Sequence, residues 1–420
     1  MPAQTIEHFT LPNGFDLLVE EMPDVQSAAF TLLIPAGSLY EAPGANGTSA
    51  ALCDLALRGA GDRDNRELAT ALDRLGVQRH EQVGWNFLSF GGALLANKLP
   101  EALAIYADVA RRPLLPPEEF EAVMSGLEQS LLAIDDEPGR KLSTELRRHT
   151  YPDPWGRPTE GDLAELRNVT LDRVRELHRA GFRPNGAILG IAGRVDAAAV
   201  REHVERLFGD WTRGNEPSIR TGETPPAATH LEHPSTQVQI GLAYHAPPYG
   251  HADYYAAWAA ASVLGGGPSA RLFTEVRERR GLCYSVQASL HSLKTEARTI
   301  ISAGTTTERA QETLDVILSE LDRLGEGIGA DELRRCQARA KSSLIMQQES
   351  TAARAASIAR DWFHLGRIVT LNEVRQAVEE LTVERLIDSV RRYPPRPLTV
   401  LTLGPQPLQF TDRLIQAHPR

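Results

Sequence analysis

The sequence predicts an α+β chain built twice, two homologous units of strands and helices in tandem. Three observations carry this. At 420 residues the chain is longer than a single hydrophobic core ordinarily serves. Strand and helix patterns run to Phe208, break at a stretch rich in Pro, Gly and Thr between Gly209 and Ala227, and then start again. A helix-then-strand module also recurs. Thr170-Leu-Asp-Arg-Val followed by Ala187-Ile-Leu-Gly-Ile-Ala-Gly193 matches Thr382-Val-Glu-Arg-Leu followed by Leu398-Thr-Val-Leu-Thr-Leu-Gly404, with Thr382 lying 212 residues after Thr170. The expected division is a first domain over 1–212, a linker over 213–234 and a second domain over 235–420.

In chain order, Phe15 to Glu20 and Ala28 to Pro35 read as strands, the first preceded by the turn Leu11-Pro-Asn-Gly14. Asn46 to Gly61 reads as a helix entered through Asn46, Gly47, Thr48 and Ser49 and closed by Gly59 and Gly61. Apolar Leu68, Ala71, Leu72 and Leu75 recur at helical spacing. Val77 to Leu95 is a hairpin with its break near Val83-Gly84. Leu99 to Ala110 is an amphipathic helix, and Pro116-Pro-Glu-Glu119 opens another, with proline and acids where capping and the helix dipole favour them. Thr170 to Ala180 and Ala197 to Phe208 are helices flanking the continuous apolar run Gly186 to Ala192, a central strand. In the second half, Gln237 to Ala243, Val286 to Ser292 and Ala297 to Gly304 are strands. His251 to Leu264, Glu308 to Leu324 and Ala330 to Met346 are helices.

Composition excludes several function classes. Hydrophobic content of 42% and charged content of 24% fit an ordinary soluble globular protein. The net charge of -10 and the lack of a basic cluster with interleaved aromatics argue against nucleic acid as a partner. No apolar run approaches the roughly 20 residues that span a bilayer, so no membrane is expected. The N-terminus lacks a basic n-region and apolar core. Cys53, Cys283 and Cys336 are widely spread, which favours a reducing cytoplasm over a disulfide framework.

The helix at Asn46–Gly61 organises the functional reading. A strand, a Gly-Ser-x-x-Glu loop (Gly37 to Glu41) and a helix ending in Arg58-Gly59 resemble the first catalytic segment of the pitrilysin-type zinc peptidases, peptidase family M16. There the helix carries His-x-x-Glu-His, two ligands four apart on one face with a Glu that activates the zinc-bound water. Here those positions hold Ala50, Cys53 and Asp54. The family's third ligand, a Glu on a later helix, counts onto Ser130, in register with the following Asp135-Asp-Glu-Pro138. Ala50 cannot ligate and neutral Ser130 is a poor zinc ligand. Cys53 and Asp54 point about 100° apart on a helix. Metal on this chain is therefore expected to be none. The bland reading of Cys53 is a small buried hydrophobe. His230-Leu-Glu-His233 spaces two histidines three apart, but reads as an exposed polar loop.

The second half carries a positive signal. Gly265-Gly-Gly-Pro-Ser-Ala-Arg-Leu-Phe-Thr-Glu-Val-Arg277-Glu-Arg-Arg-Gly-Leu-Cys-Tyr284 closely resembles the second-domain signature of the same family. The run has no Gly-Lys-Ser/Thr ending, and Pro268 removes a donor, so a phosphate loop is not the reading. Its glycines end a helix and make a tight turn. In related peptidases an Arg and a Tyr at this spacing reach the substrate beside the zinc, and a guanidinium and a phenol are both donors to a peptide carbonyl. The alternative from residues alone pairs Arg277 with Glu275 or Glu278 on the surface. His80-Glu81 stands where active relatives have Asn-Ala before the edge strand that pairs with substrate, which puts docking there in doubt.

The resemblance implies two homologous α/β-sandwich domains, mostly antiparallel sheet with helices packed on it, in the duplicated LuxS/MPP-like metallohydrolase fold. It further implies the non-catalytic subunit of a heterodimeric zinc endopeptidase, with Arg277 and Tyr284 binding peptide while a His-x-x-Glu-His sister subunit carries the zinc. The isolated chain could then form a homodimer. The other readings are a structural subunit like the family's respiratory-complex core members, and a peptidase with an unorthodox metal site.

Overall fold

The computed structural model describes residues 4–223 and 230–410. The first sheet contains β1 (Thr5–Thr10), β2 (Asp16–Glu21) and β3 (Ser27–Ile34). Helix α1 (Thr48–Leu55) follows, then a two-residue ribbon of β4 (Gly59–Ala60) and β5 (Arg63–Asp64), and α2 (Asn65–Leu75). The hairpin β6 (Gln78–Val83) and β7 (Leu88–Leu95) returns to the sheet. Helices α3 (Leu99–Arg111), α4 (Pro117–Asp135), α5 (Pro138–Thr150) and α6 (Leu171–Gly181) precede β8 (Ile188–Gly193), and α7 (Ala197–Phe208) closes the run. The strand order is β1-β2-β8-β3-β7-β6, antiparallel throughout except for the parallel pair β2/β8. Strand β8 is buried at every residue, as its unbroken apolar sequence requires at the centre of a sheet.

The second sheet repeats this plan. It contains β9 (His230–Glu232), β10 (Gln237–Ala246), β11 (Cys283–Ser292), β12 (Ala297–Thr306) and β13 (Thr399–Gly404). The helices of this half of the sequence are α8 (Tyr254–Gly265), α9 (Ala310–Glu326), α10 (Ala330–Gln348), α11 (Thr351–Leu365), α12 (Leu371–Glu379) and α13 (Val383–Arg392). The order β11-β12-β10-β13-β9 matches β6-β7-β3-β8-β2 strand for strand. The single parallel pair, β9/β13, falls where β2/β8 does. The repeated module keeps its caps as well. Thr170 accepts a hydrogen bond from the Arg173 amide at the start of α6, and Thr382 accepts one from the Arg385 amide at the start of α13.

The packing does not follow the contiguous division 1–212, 213–234 and 235–420. One compact unit takes the residues up to 133, 157–222 and 345–370; the other takes 134–156, 223–344 and the residues from 371. Each sheet thus receives a helix from the opposite half of the sequence. Helix α11 lies on β8, β3 and β2, and α5 lies on β10 and β13. The reason is steric and apolar. A Cβ on Gly190 of β8 would sit 2.3 Å from the Ala355 carbonyl oxygen of α11, so only glycine lets helix and strand approach this closely. On the other sheet, Leu142 and Leu146 of α5 pack with Ala243, Leu401 and Leu403. Arg354 of α11 is buried and donates from Nε to Glu20 Oε2 of β2 at 2.8 Å. Residues 224–229 of the expected linker lie outside the described residues. His230 belongs to strand β9 and bonds Thr402 Oγ1 through Nδ1 at 2.9 Å, so the expected exposed loop at His230–His233 is in part a sheet edge. The reason is that Leu231 pairs with Leu403 beside α5.

Candidate functional site

In the first unit the site is built around α1. Strand β3 leads into the loop whose last residue, Glu41, is 5% exposed and lies under the helix start. The α1 N-cap is Gly47 at φ +117°, a left-handed conformation that favours glycine, and no side chain of the cap itself bonds the helix. Glu41 serves instead. Its Oε1 accepts from the Gly47 amide at 3.2 Å and the Ser49 amide at 2.7 Å, and its Oε2 accepts from Asn46 Nδ2 at 2.6 Å. Burial nevertheless raises its carboxyl above the usual range, against the pull of those hydrogen bonds. The helix ends at Leu55 rather than Gly59.

Beside α1 lies a cavity of about 540 Å³, lined by Ala50, Cys53, Asp54 and Arg58, by Asn65 and Ala69 of α2, by Arg79, Glu81 and Val83 of β6, and by Leu127 of α4. The motif positions Ala50, Cys53 and Asp54 therefore do converge on one space. Their chemistry does not suit a zinc ion. Ala50 has no donor atom. Cys53 is 6% exposed, and burial, with the Glu81 and Asp54 carboxylates nearby, pushes its thiol up to about 12, so it stays protonated at neutral pH. Asp54 accepts from Arg58 Nε at 2.8 Å, and Arg58 Nη1 reaches Glu119 Oε2 at 3.2 Å, so a guanidinium joins the two carboxylates. Ser130 is exposed, its Oγ donating to the Gly126 carbonyl at 2.9 Å. The residue of α4 that lines the cavity is Leu127, about one turn earlier. Among the described residues no group of three His, Cys, Asp or Glu side chains is placed to hold a metal ion.

His80 and Glu81 lie on β6, which is an edge of the first sheet. They point to opposite faces, as neighbours on a strand must. Glu81 lines the cavity and desolvation raises its carboxyl, while His80 covers Gly91 of β7.

In the second unit, α8 ends at the three glycines. A Cβ on Gly266 would lie 2.8 Å from the Ser262 carbonyl oxygen, backbone that cannot give way, whereas at Gly267 a Cβ would meet only the Arg339 guanidinium of α10, a side-chain end that can move aside. The chain then forms a π-helical turn over Phe273–Glu278, a rare geometry that recurs at functional sites. Glu275 is 9% exposed and accepts from Arg279 at 2.6 Å and from Arg280 at 2.7 Å. The Arg280 hydrogen bond chiefly holds its carboxyl below the usual range. With Glu275 taken, the Arg277 guanidinium makes no hydrogen bond or ion pair with any described residue, and the surface pairing with Glu275 or Glu278 does not form. Its Cζ lies 4.7 Å from the Phe273 ring centroid and 5.4 Å from that of Tyr284. Tyr284 is 83% exposed and sits at a bulge, where the β11/β12 register shifts between Cys283 and Ser285. Arg277 and Tyr284 are therefore adjacent, with their donors free. Phe273 is the member of this cluster that the spacing of Arg277 and Tyr284 did not single out.

Two family models match in succession. Residues 17–162 match the insulinase model of peptidase family M16, and residues 168–340 match the model described as the peptidase M16 inactive domain. An uncharacterised zinc protease of Rickettsia bellii is 24% identical over 400 residues, covering 95% of this chain and 97% of the relative. One from Bacillus subtilis is 26% identical over 386 residues, covering 91% and 94%. Among solved structures, a peptidase M16 inactive domain protein from Pseudomonas fluorescens superposes with a TM-score of 0.86 at 20% identity, covering 97% of this chain and 99% of that one. A protease from Helicobacter pylori gives 0.88 at 20% identity, covering 96% and 100%. Both halves of the sequence, and the duplicated fold they build, make this chain a two-domain, zinc-protease-like member of peptidase family M16.

Proposed function

We propose that this chain is the non-catalytic subunit of an M16-type zinc peptidase. A sister chain bearing His-x-x-Glu-His holds the zinc and hydrolyses the peptide bond; this chain completes the substrate chamber and binds the peptide. The observation that carries the reading is the contrast between the two units. At the motif positions the donors are absent, protonated or tied to Arg58, while half-buried Arg277 and exposed Tyr284 stand together with unused side-chain donors. A guanidinium and a phenol aimed at one carbonyl would hold it and favour the oxyanion that develops on attack, an effect worth about 10²–10³ in kcat for one donor. Arg277→Gln should lower kcat/KM of the assembled peptidase by about tenfold or more, with assembly by gel filtration unchanged. Unaltered kinetics would remove Arg277 from the substrate site.

A further inference from the structure

The cavity beside α1 is lined by charges of two kinds. Those on the helix side are already matched. Arg58 donates to Asp54 from Nε at 2.8 Å and from Nη2 at 3.4 Å, and to Glu119 from Nη1 at 3.2 Å. Glu119 also accepts from Asn65 Nδ2 at 3.2 Å. Arg79 and Glu81 differ. Both line the cavity from β6, two residues apart and so on one face of the strand. Neither side chain makes a hydrogen bond or an ion pair with any described residue. Desolvation raises the Glu81 carboxyl, which Arg79 and His80 only partly offset. The Tyr106 hydroxyl of α3, 1% exposed and without a hydrogen-bond partner, lies within electrostatic reach of both. Three neighbouring polar groups thus lack a counterpart among the described residues, where buried groups ordinarily have one. Much of the remaining wall is apolar, with Leu57, Ala69, Val83 and Leu127.

We infer that this cavity is a binding site for a free α-amino acid with an aliphatic side chain, its carboxylate on Arg79 and its ammonium on Glu81. A ligand of one sign would match one of these side chains and oppose the other, whereas a zwitterion matches both. A guanidinium holds a carboxylate through two parallel hydrogen bonds, and an ammonium is a compact donor to a carboxylate. Residues two apart on a strand are separated by roughly 6.6 Å. Both side chains are long enough for their ends to close on charges carried by one carbon, as those of an α-amino acid are. A residue inside a peptide has its amine and its carboxyl in amide bonds and offers neither charge. The thiol of Cys53 is protonated and Asp54 is held by Arg58, so neither competes for the ammonium. The volume of about 540 Å³ is that of a small-molecule site, and the apolar wall suits an aliphatic side chain. Arg277 and Tyr284 belong to the other sheet and take no part.

The test is titration calorimetry on the full chain, dialysed against a chelator, with leucine, N-acetyl-leucine and leucine amide as probes. Leucine should bind at one site per chain with a Kd of about 1 mM or tighter. Each capped form, which lacks one of the two charges, should bind about tenfold more weakly. Arg79→Gln and Glu81→Gln should each weaken leucine by a similar factor, while Gln82→Ala, on the opposite face of β6, leaves it unchanged. The capped probes are read on the unaltered chain, so the comparison survives a variant that folds poorly. No saturable binding of leucine would overturn the proposal. So would equal binding of leucine and both capped forms, which would give the cavity to peptide segments. Binding undiminished in Arg79→Gln and in Glu81→Gln would place the ligand elsewhere and overturn it as well.

Discussion

Glu41 is the residue on which the start of α1 depends. It accepts from two backbone amides and from Asn46, and no other described side chain caps this helix. Glu41→Ala should cost about 2–3 kcal/mol in chemical denaturation, since it strands buried donors. Glu41→Gln keeps an acceptor and should cost less. Because burial raises this carboxyl, the folded state holds its proton longer than the unfolded chain does. Its contribution is full below the ordinary Glu value and declines as pH rises through the raised one, so Glu41→Gln should flatten that decline. The buried Arg354–Glu20 pair gives a second residue-scale expectation. Arg354→Met leaves a buried carboxylate whose remaining partner is Gln4 and should cost about 3 kcal/mol or more, whereas adding Glu20→Met should recover much of the loss. A recovery no larger than the sum of independent effects would contradict that coupling. Residue roles of this kind were only partly legible. The positions Ala50, Cys53, Asp54, Arg277 and Tyr284 stand out by motif. Of the partners that decide their chemistry, Arg58 is marked by the Arg-Gly motif and by its i,i+4 spacing from Asp54, whereas Glu119 and Leu127 are brought in by three-dimensional packing and carry no spacing signal of their own.

At the scale of elements, α1 presents Ala50, Cys53 and Asp54 to a cavity whose wall is completed by Arg58 and α4. The Arg58 guanidinium links Asp54 to Glu119 of α4, and Leu127 of α4 lines the same cavity. Restoring Ala50→His, Cys53→Glu and Asp54→His together should therefore yield no near-stoichiometric zinc after dialysis, because α4 still presents an apolar side chain there and Ser130 faces solvent. Zinc retained at one per chain would show that α4 is not needed. Most elements were legible from periodicity and capping, including the central strand β8 and the hairpin β6–β7. The exchange of α5 and α11 between sheets was not. An amphipathic helix shows that it has a partner but not which one, and the partner here is chosen by Gly190, which has room for α11, and by the leucines of α5.

For the whole molecule, the duplication gives each sheet the same plan with a core of its own. Substitutions around Ala50, Cys53 and Asp54 therefore leave the packing of the other sheet untouched. No helix among the described residues is long and apolar enough to cross a membrane. The repeat itself was readable from the recurrence of Thr170 and Gly193 at Thr382 and Gly404. The compact units were not, because the sequence division assumes each half packs with itself. The central claim, a zinc-less subunit that completes a peptidase, is tested most directly by reconstitution. This chain, a His-x-x-Glu-His sister chain and their equimolar mixture are each assayed on an unfolded fluorogenic peptide with zinc content measured alongside. The account predicts hydrolysis in the mixture that neither chain shows alone, with zinc on the sister. Hydrolysis and stoichiometric zinc on this chain by itself, or a mixture no more active than its parts, would contradict it.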